Sequence, residues 1–120
     1  MSMIVDRYRG QSLHYYENAL RFLEEGETEK AAEFLWGSVA EALKALAATR
    51  GIALRSHRDV REYARELAKE LNDRSIFDGF KEANSLHADF YEAGLTLDDV
   101  KDAWDQSIRP TLETLNELLV

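Results

Sequence analysis

The sequence predicts an all-α protein, an up-and-down bundle of about five helices that forms a single domain over residues 1–120. Apolar residues recur every three to five positions in five successive segments, which is the spacing of amphipathic helices. The sequence contains no strand-like alternation, internal repeat or Pro/Ser-rich linker. A chain of 120 residues is also near the common size for one hydrophobic core.

Capping residues and glycines mark the expected ends of these helices. A serine or threonine followed three positions later by an acidic residue is typical of a helix start, and a glycine can supply a left-handed C-cap. We expect a helix from Ser2 to Glu25 that ends at Gly26, and a second from Glu27 or Thr28 up to Gly51. We expect a third over about 57–71 after Ser56, a fourth from Ile76 to Tyr91 after Ser75, and a fifth after Thr96.

The last helix contains Pro110, which lacks a backbone N–H donor and crowds the carbonyl group four residues earlier. The apolar spacing continues across this position, from Trp104 and Ile108 to Leu112. We therefore expect a helix kinked near Gln106 and not broken there.

The second helix has an unusually broad apolar face, which predicts that it lies at the centre of the bundle. Its Gly37 is unfavourable in a helix interior by about 1 kcal/mol relative to alanine, so a close approach by another helix is expected there. The excess apolar surface indicates a second interface, with another subunit, and Trp36, Gly37 and Leu43 are the residues predicted to form it.

Composition excludes several functional classes. The formal net charge of −8 argues against binding to duplex DNA, because cationic side chains supply most affinity for phosphates. The apolar stretches are too short to cross a membrane, and no signal peptide is recognisable, so we expect a cytoplasmic protein. Without cysteine there are no disulfides or thiol nucleophiles. No cofactor is predicted.

Basic and titratable residues are concentrated at the start of the third helix. Arg55, His57 and Arg58 are candidates for binding an anionic ligand there. The alternative is a solvent-exposed helix start with ordinary salt bridges. His57 stands at the positive end of a helix dipole, which suits a neutral, hydrogen-bonding imidazole.

A second group of candidates lies near the end of the fourth helix. Asn84, His87 and Tyr91 are spaced by three and four residues and therefore share a face. His87 could act as an acid or base near neutral pH, or it could be a half-buried structural histidine. Asp89 and Glu92 are out of phase with His87, so we expect no metal site.

Four segments taken together carry a family resemblance. They are Leu35 to Ala47, Arg50-Gly51, Arg55 to Val60 and Ala83 to Glu92. In order and spacing they resemble the archaeal PaREP-one/PaREP-eight family, which is similar to the HEPN superfamily of helical bundles. That resemblance implies a homodimer, a role beside a minimal nucleotidyltransferase, or ribonuclease activity.

The HEPN ribonuclease motif pairs an arginine with a later histidine and has four to six residues between them. With His87 as that histidine, the arginine would fall at Phe80, Lys81 or Glu82, where only Lys81 is cationic. Our leading hypothesis is therefore a non-catalytic, HEPN-like homodimer that binds a protein partner, RNA, a nucleotide or another small ligand. In the ligand-binding version of this hypothesis, one pocket is formed by five residues: Arg55, His57, Arg58, His87 and Tyr91. The alternative is a metal-independent ribonuclease that uses His87, with Asn84 and Lys81.

Overall fold

The computed structural model describes residues 2–119, which form an all-helical bundle without strands. The predicted fourth helix is divided into two, and the predicted fifth contains a π-helical turn. The elements are α1 (Met3–Glu25), α2 (Thr28–Thr49), α3 (His57–Glu70), α4 (Arg74–Ala88), α5 (Phe90–Ala93), α6 (Leu97–Ala103), the π turn (Trp104–Ile108) and α7 (Arg109–Leu118).

Most helix ends agree with the capping residues of the sequence. Gly26 and Gly51 adopt φ values of +75° and +73°, the left-handed conformation that glycine accepts without strain. At the start of α6, the Thr96 hydroxyl accepts from the Asp99 N–H at 3.2 Å, and the Asp99 carboxylate accepts from the Thr96 N–H at 2.9 Å. This reciprocal pair is the predicted capping box.

The expected boundaries of the fourth helix were wrong at both ends. Asp73, not Ser75, caps α4, because its carboxylate accepts from the Ser75 N–H at 3.0 Å. The helix ends at Ala88 rather than Tyr91, since Asp89 leaves the helical conformation before α5 begins. Gly94 then closes α5 with a φ of +62°.

The segment around Pro110 remains helical from α6 through α7. The turn just before the proline widens to a π-helix, in which the Arg109 N–H donates to the Trp104 carbonyl. Gln106, where we expected the kink, lies within this turn. A π turn is a known way to absorb local strain in a helix. The Ile108 and Leu112 side chains on either side of the proline are both buried in the core.

Helix α2 lies at the centre of the bundle, as its broad apolar face predicted. It packs against α1, α3, α4 and α7, and Leu35, Val39 and Leu43 are fully buried. The contact with α1 is close at Gly37, where a Cβ atom would lie 2.8 Å from the Tyr15 ring. No helix in residues 2–119 has the length and hydropathy needed to span a bilayer.

Candidate functional site

Three aromatic rings from three helices meet on one side of α2. The His87 ring is stacked on the Trp36 indole, with centroids 5.6 Å apart and planes 14° apart. The His57 ring meets both edge-on, at 5.1 Å from Trp36 and 5.7 Å from His87. We call Trp36, His57 and His87 the histidine cluster.

Local sequence places each ring of the histidine cluster. His57 is the first residue of α3 and is positioned by the Ser56 cap, whose hydroxyl accepts from the Asp59 N–H at 3.1 Å. His87 lies in the last turn of α4. Trp36 is 7% exposed and also packs edge-on against Phe80, so it forms a rigid floor under two more accessible imidazoles.

A carboxylate holds His87 in place. Both oxygens of Glu33 lie 3.0 Å from His87 Nδ1. Glu33 precedes Trp36 by three residues, so the two side chains leave the same face of α2 and hold the imidazole from two directions. When Nδ1 donates to the carboxylate, Nε2 is left to accept a proton or bind a ligand. This is the geometry of an oriented acid–base residue.

Tyr91 of α5 contacts α2 one helical turn before Glu33. Its hydroxyl donates to the Glu29 carboxylate, four residues before Glu33. This hydrogen bond raises the pKa of Tyr91 above its ordinary value, with smaller contributions from desolvation and from the charges of Glu29 and Glu33. Glu29 and Glu33 thus connect α2 to the end of α4 and to α5.

On its other side the histidine cluster borders a small cavity of about 190 Å³. Trp36 and His57 line it together with Arg55, Glu41 and Lys44. Lys44 Nζ lies 3.5 Å from Glu41 Oε1, so that pair is largely neutralised. The Asp59 carboxylate accepts from the main-chain N–H of Arg55 at 2.9 Å, but the Arg55 guanidinium has no carboxylate within 4.0 Å among residues 2–119. Within that part of the chain, the cavity therefore has a guanidinium without a carboxylate partner beside the histidine cluster.

The structure brings some predicted site residues together and separates others. The His57 and His87 rings are in contact, and Arg55 lines the cavity beside His57. Tyr91 binds Glu29, one helical turn before the Glu33 that holds His87. Arg58 is exposed on α3, and Asn84 is half-buried on α4 without a side-chain hydrogen bond within residues 2–119.

Lys81 lies on another face of α4, with its Nζ 3.6 Å from Asp78 and 5.2 Å from the Phe77 ring centroid. It cannot assist His87 from there.

The residues assigned to a subunit interface are used inside the chain instead. Leu43 is fully buried and Trp36 is covered by α3 and α4. The close approach expected at Gly37 exists, but its partner is Tyr15 of α1. The extra apolar surface of α2 is explained by the number of helices around it.

Sequence reasoning missed Glu29 and Glu33. Both stand on the first half of α2, where an acidic residue is ordinarily explained by the helix dipole. Their spacing of four residues on one face was the available signal. Among residues 2–119 no group of three or more His, Asp, Glu or Cys side chains is arranged to hold a metal ion.

The sequence profile of the archaeal PaREP1/PaREP8 family matches residues 7–109. The chain belongs to this family. The matched range of this PaREP1/PaREP8 protein contains the histidine cluster and both glutamates. A search among curated proteins finds no match.

The fold of this PaREP1/PaREP8 protein is similar to a crystal structure from Sulfolobus solfataricus. The two chains superpose with a TM-score of 0.73 over 100% of this chain and 99% of the other, at 22% sequence identity. At that identity the similarity supports the fold alone.

Proposed function

We propose that this protein is a HEPN-like helical module that binds a phosphate-bearing ligand, a nucleotide or RNA, at the histidine cluster. The observation that carries the proposal is the contact between the His57 and His87 rings, 5.7 Å apart, beside a cavity lined by Arg55. The resemblance of the sequence to HEPN proteins supports the same conclusion. No catalytic step is required for this role.

The chemistry of the cluster suits a single phosphate group. The neutral His57 imidazole offers one N–H donor, and His87, whose Nδ1 is bound to Glu33, offers Nε2–H as a donor when it is protonated. Arg55 adds a permanent charge with a planar set of donors. Glu33 limits the local positive charge and fixes the orientation of His87. Recognition of a phosphate by few, well-oriented groups is therefore more consistent with the site than attraction by a large basic surface.

Binding is tested by calorimetric titration of the protein with AMP and with a short single-stranded RNA. We expect His57→Ala, His87→Ala and Arg55→Gln each to weaken binding by about tenfold, which corresponds to the loss of one good charge-assisted hydrogen bond. His14→Ala is the matched control, because His14 is exposed on α1 and bonds only to Asn18 among the described residues. Equal losses in the control and in the cluster variants would contradict the proposal.

A ribonuclease is the second candidate, and the Glu33–His87 contact is the observation that favours it. His87 Nε2 would take the proton from a ribose 2′-hydroxyl as its oxygen attacks the phosphorus atom. The departing 5′-oxygen would receive a proton from His57, the facing ring. This is metal-independent acid–base chemistry. Lys81 has no part in it, because of its position on α4.

The ribonuclease candidate is tested by incubating RNA with the protein in the presence of EDTA. Cleavage by the wild type that is lost in His87→Ala and strongly reduced in Glu33→Gln would support it. Absent cleavage, or equal cleavage by wild type and His87→Ala, would remove this candidate and leave the binding proposal intact.

The proposal includes a homodimer, as the HEPN resemblance implies. Since Trp36 and Leu43 are buried within the chain, the contact would use exposed apolar residues elsewhere, such as Met3 and Ile4 on α1 or Tyr91 beside the site. Light scattering after size exclusion measures this directly, and a monomer at micromolar concentration contradicts it. Native mass spectrometry of protein from its own host would show whether a nucleotidyltransferase partner is bound.

A further inference from the structure

A second cavity lies on the opposite side of α2 from the histidine cluster. Helices α1 and α7 both pack against α2, and each does so more extensively than they pack against each other. The gap between them is a cleft of about 290 Å³. Its volume is just below the usual range for small-molecule sites, about 300–1,000 Å³, so only a compact ligand would fit.

The walls of this cleft are apolar and aromatic. Tyr16 and Trp104 are in direct contact on one wall, with ring centroids 5.2 Å apart and planes tilted by 47°, and Leu112 is buried in the lining. Leu13 is 56% exposed at the opening, so an apolar ligand that covers its side chain would remove apolar surface from water. Trp104 begins the π turn, and such turns are frequent at functional sites.

The floor of the cleft is made of two serines. The Ser12 hydroxyl donates to the Ser38 carbonyl at 2.7 Å, and the Ser38 hydroxyl donates to the Ser12 carbonyl at 3.0 Å. Both hydroxyl protons are therefore committed within the chain, so the floor demands no further acceptor from a ligand. The small size of the two side chains leaves the space above them open.

The charged residues that line the cleft are two arginines, Arg9 and Arg109, and one glutamate, Glu113. Arg109 is shared between Asp105 and Glu113, with nitrogen–oxygen distances of 3.8 and 3.4 Å. Arg9 has no carboxylate within 4.0 Å among residues 2–119.

We propose that this cleft binds a compact carboxylate with an apolar body. The body lies against Leu13, Leu112 and the Tyr16–Trp104 pair. The carboxylate accepts hydrogen bonds from Arg9, and Arg109, which already contacts Asp105 and Glu113, is a weaker second cation. Arginine presents a planar pair of donors that matches a carboxylate. The site is independent of the histidine cluster and of the ligand proposed there.

Octanoate is a suitable probe, and the position of the two tryptophans makes the readout specific. The chain contains two tryptophans, Trp36 and Trp104. In Trp36→Phe the tryptophan fluorescence comes from Trp104 in the cleft, and in Trp104→Phe it comes from Trp36 in the histidine cluster. We expect octanoate to change the tryptophan emission of Trp36→Phe saturably and to leave the tryptophan emission of Trp104→Phe unchanged. Octylammonium, with the same chain and the opposite charge, should bind at least about tenfold more weakly.

The cations are tested with a charge-matched pair of variants. Arg9→Gln with Arg109→Gln removes both cations from the opening, and Arg7→Gln with Arg21→Gln removes two exposed cations of α1 that do not line the cleft. The first double variant should bind octanoate about tenfold more weakly, and the second should bind it as the wild type does. The proposal is overturned by octylammonium binding as tightly as octanoate, by equal affinities of the two double variants, or by no saturable response at all.

Discussion

Gly79 of α4 lies directly against Thr111 of α7. A Cβ atom on Gly79 would be 2.6 Å from Thr111 Cβ and closer still to Thr111 Oγ1, far inside van der Waals contact. Thr111 has little freedom to retreat, because it is 2% exposed and its hydroxyl donates to the Ser75 carbonyl at 3.2 Å. The contact between these two helices therefore depends on the missing side chain.

We predict that Gly79→Ala lowers the free energy of unfolding by about 2–3 kcal/mol, since α4 and α7 must separate to admit the methyl group. Alanine is the better helix former by about 1 kcal/mol, and that gain only partly offsets the clash. Urea denaturation followed by circular dichroism measures the change.

Gly10→Ala is the control for this substitution. Gly10 is also within a helix, α1, but nothing lies within 4 Å of the position that a Cβ atom would occupy there. The same change at Gly10 should raise the free energy of unfolding by about 0.5–1 kcal/mol. If both variants moved stability in the same direction, close packing at Gly79 would not be the reason.

The Ser12–Ser38 pair joins α1 to α2 by two buried hydrogen bonds. We predict that Ser12→Ala and Ser38→Ala each lower the free energy of unfolding by about 1 kcal/mol, the usual net value of one such bond. The double variant tests the coupling: because the two hydroxyls are also 3.4 Å apart, its loss should be smaller than the sum of the two.

Ser85→Ala is the matched control for the serine pair, because Ser85 is exposed on α4. There alanine should be neutral or slightly stabilising, since it favours the helix more than serine does. A loss at Ser85 as large as at Ser12 would show that the hydroxyls of the buried pair contribute nothing particular.

Local signals in the sequence were sufficient for most of the fold. The glycines at 26, 51 and 94 and the Thr96–Asp99 box act within one turn of chain, so their effect can be recognised without tertiary information. The end of α4 was not predictable in this way. Phe90 and Tyr91 continue the apolar spacing of α4, but Asp89 leaves the helix.

The candidate site was only partly predictable, for a related reason. His57 and His87 were each recognisable by residue type, yet their contact depends on how α3 and α4 cross α2. The partner of His87 is a glutamate 54 positions away, and nothing in the local pattern around either residue indicates the pairing. Lys81 shows the opposite error, because its spacing from His87 suggested proximity that the helix does not provide.

Asp99 gives a pH-dependent prediction. The hydrogen bonds from the main chain and side chain of Thr96 lower the pKa of the Asp99 carboxyl group. A lowered pKa in the folded state means that the stabilisation is present above the ordinary pKa of aspartate and is lost as the pH falls through the lowered one. We therefore predict that Asp99→Ala reduces the melting temperature at neutral pH and that this effect disappears as the pH falls through the lowered pKa of Asp99.

Asp98→Ala is the control, because Asp98 occupies the same first turn of α6 without a part in the capping box. It should lose only the weaker interaction with the helix dipole. Melting curves recorded from neutral to acid pH compare the two variants, and a constant difference between them at every pH would contradict the role given to the ionised Asp99 carboxylate.

Tyr91 gives the complementary prediction at alkaline pH. The hydrogen bond to Glu29 raises the pKa of the Tyr91 hydroxyl, so the folded state favours the neutral phenol. The stabilisation is present at neutral pH and is lost as the pH rises through the raised pKa. Glu29→Gln removes the charged acceptor, so it should lower the pKa of Tyr91 towards the ordinary value of about 10.

Phenolate absorbance during an alkaline titration measures this change, and the difference between each protein and its Tyr91→Phe counterpart isolates the one tyrosine. That subtraction is necessary because burial also raises the pKa of Tyr63. Glu25→Gln is the control, as an exposed glutamate of α1 outside the site. An unchanged Tyr91 titration in Glu29→Gln would mean that the contact between α2 and α5 does not persist in solution, and the site would then consist of the histidine cluster and Glu33 alone.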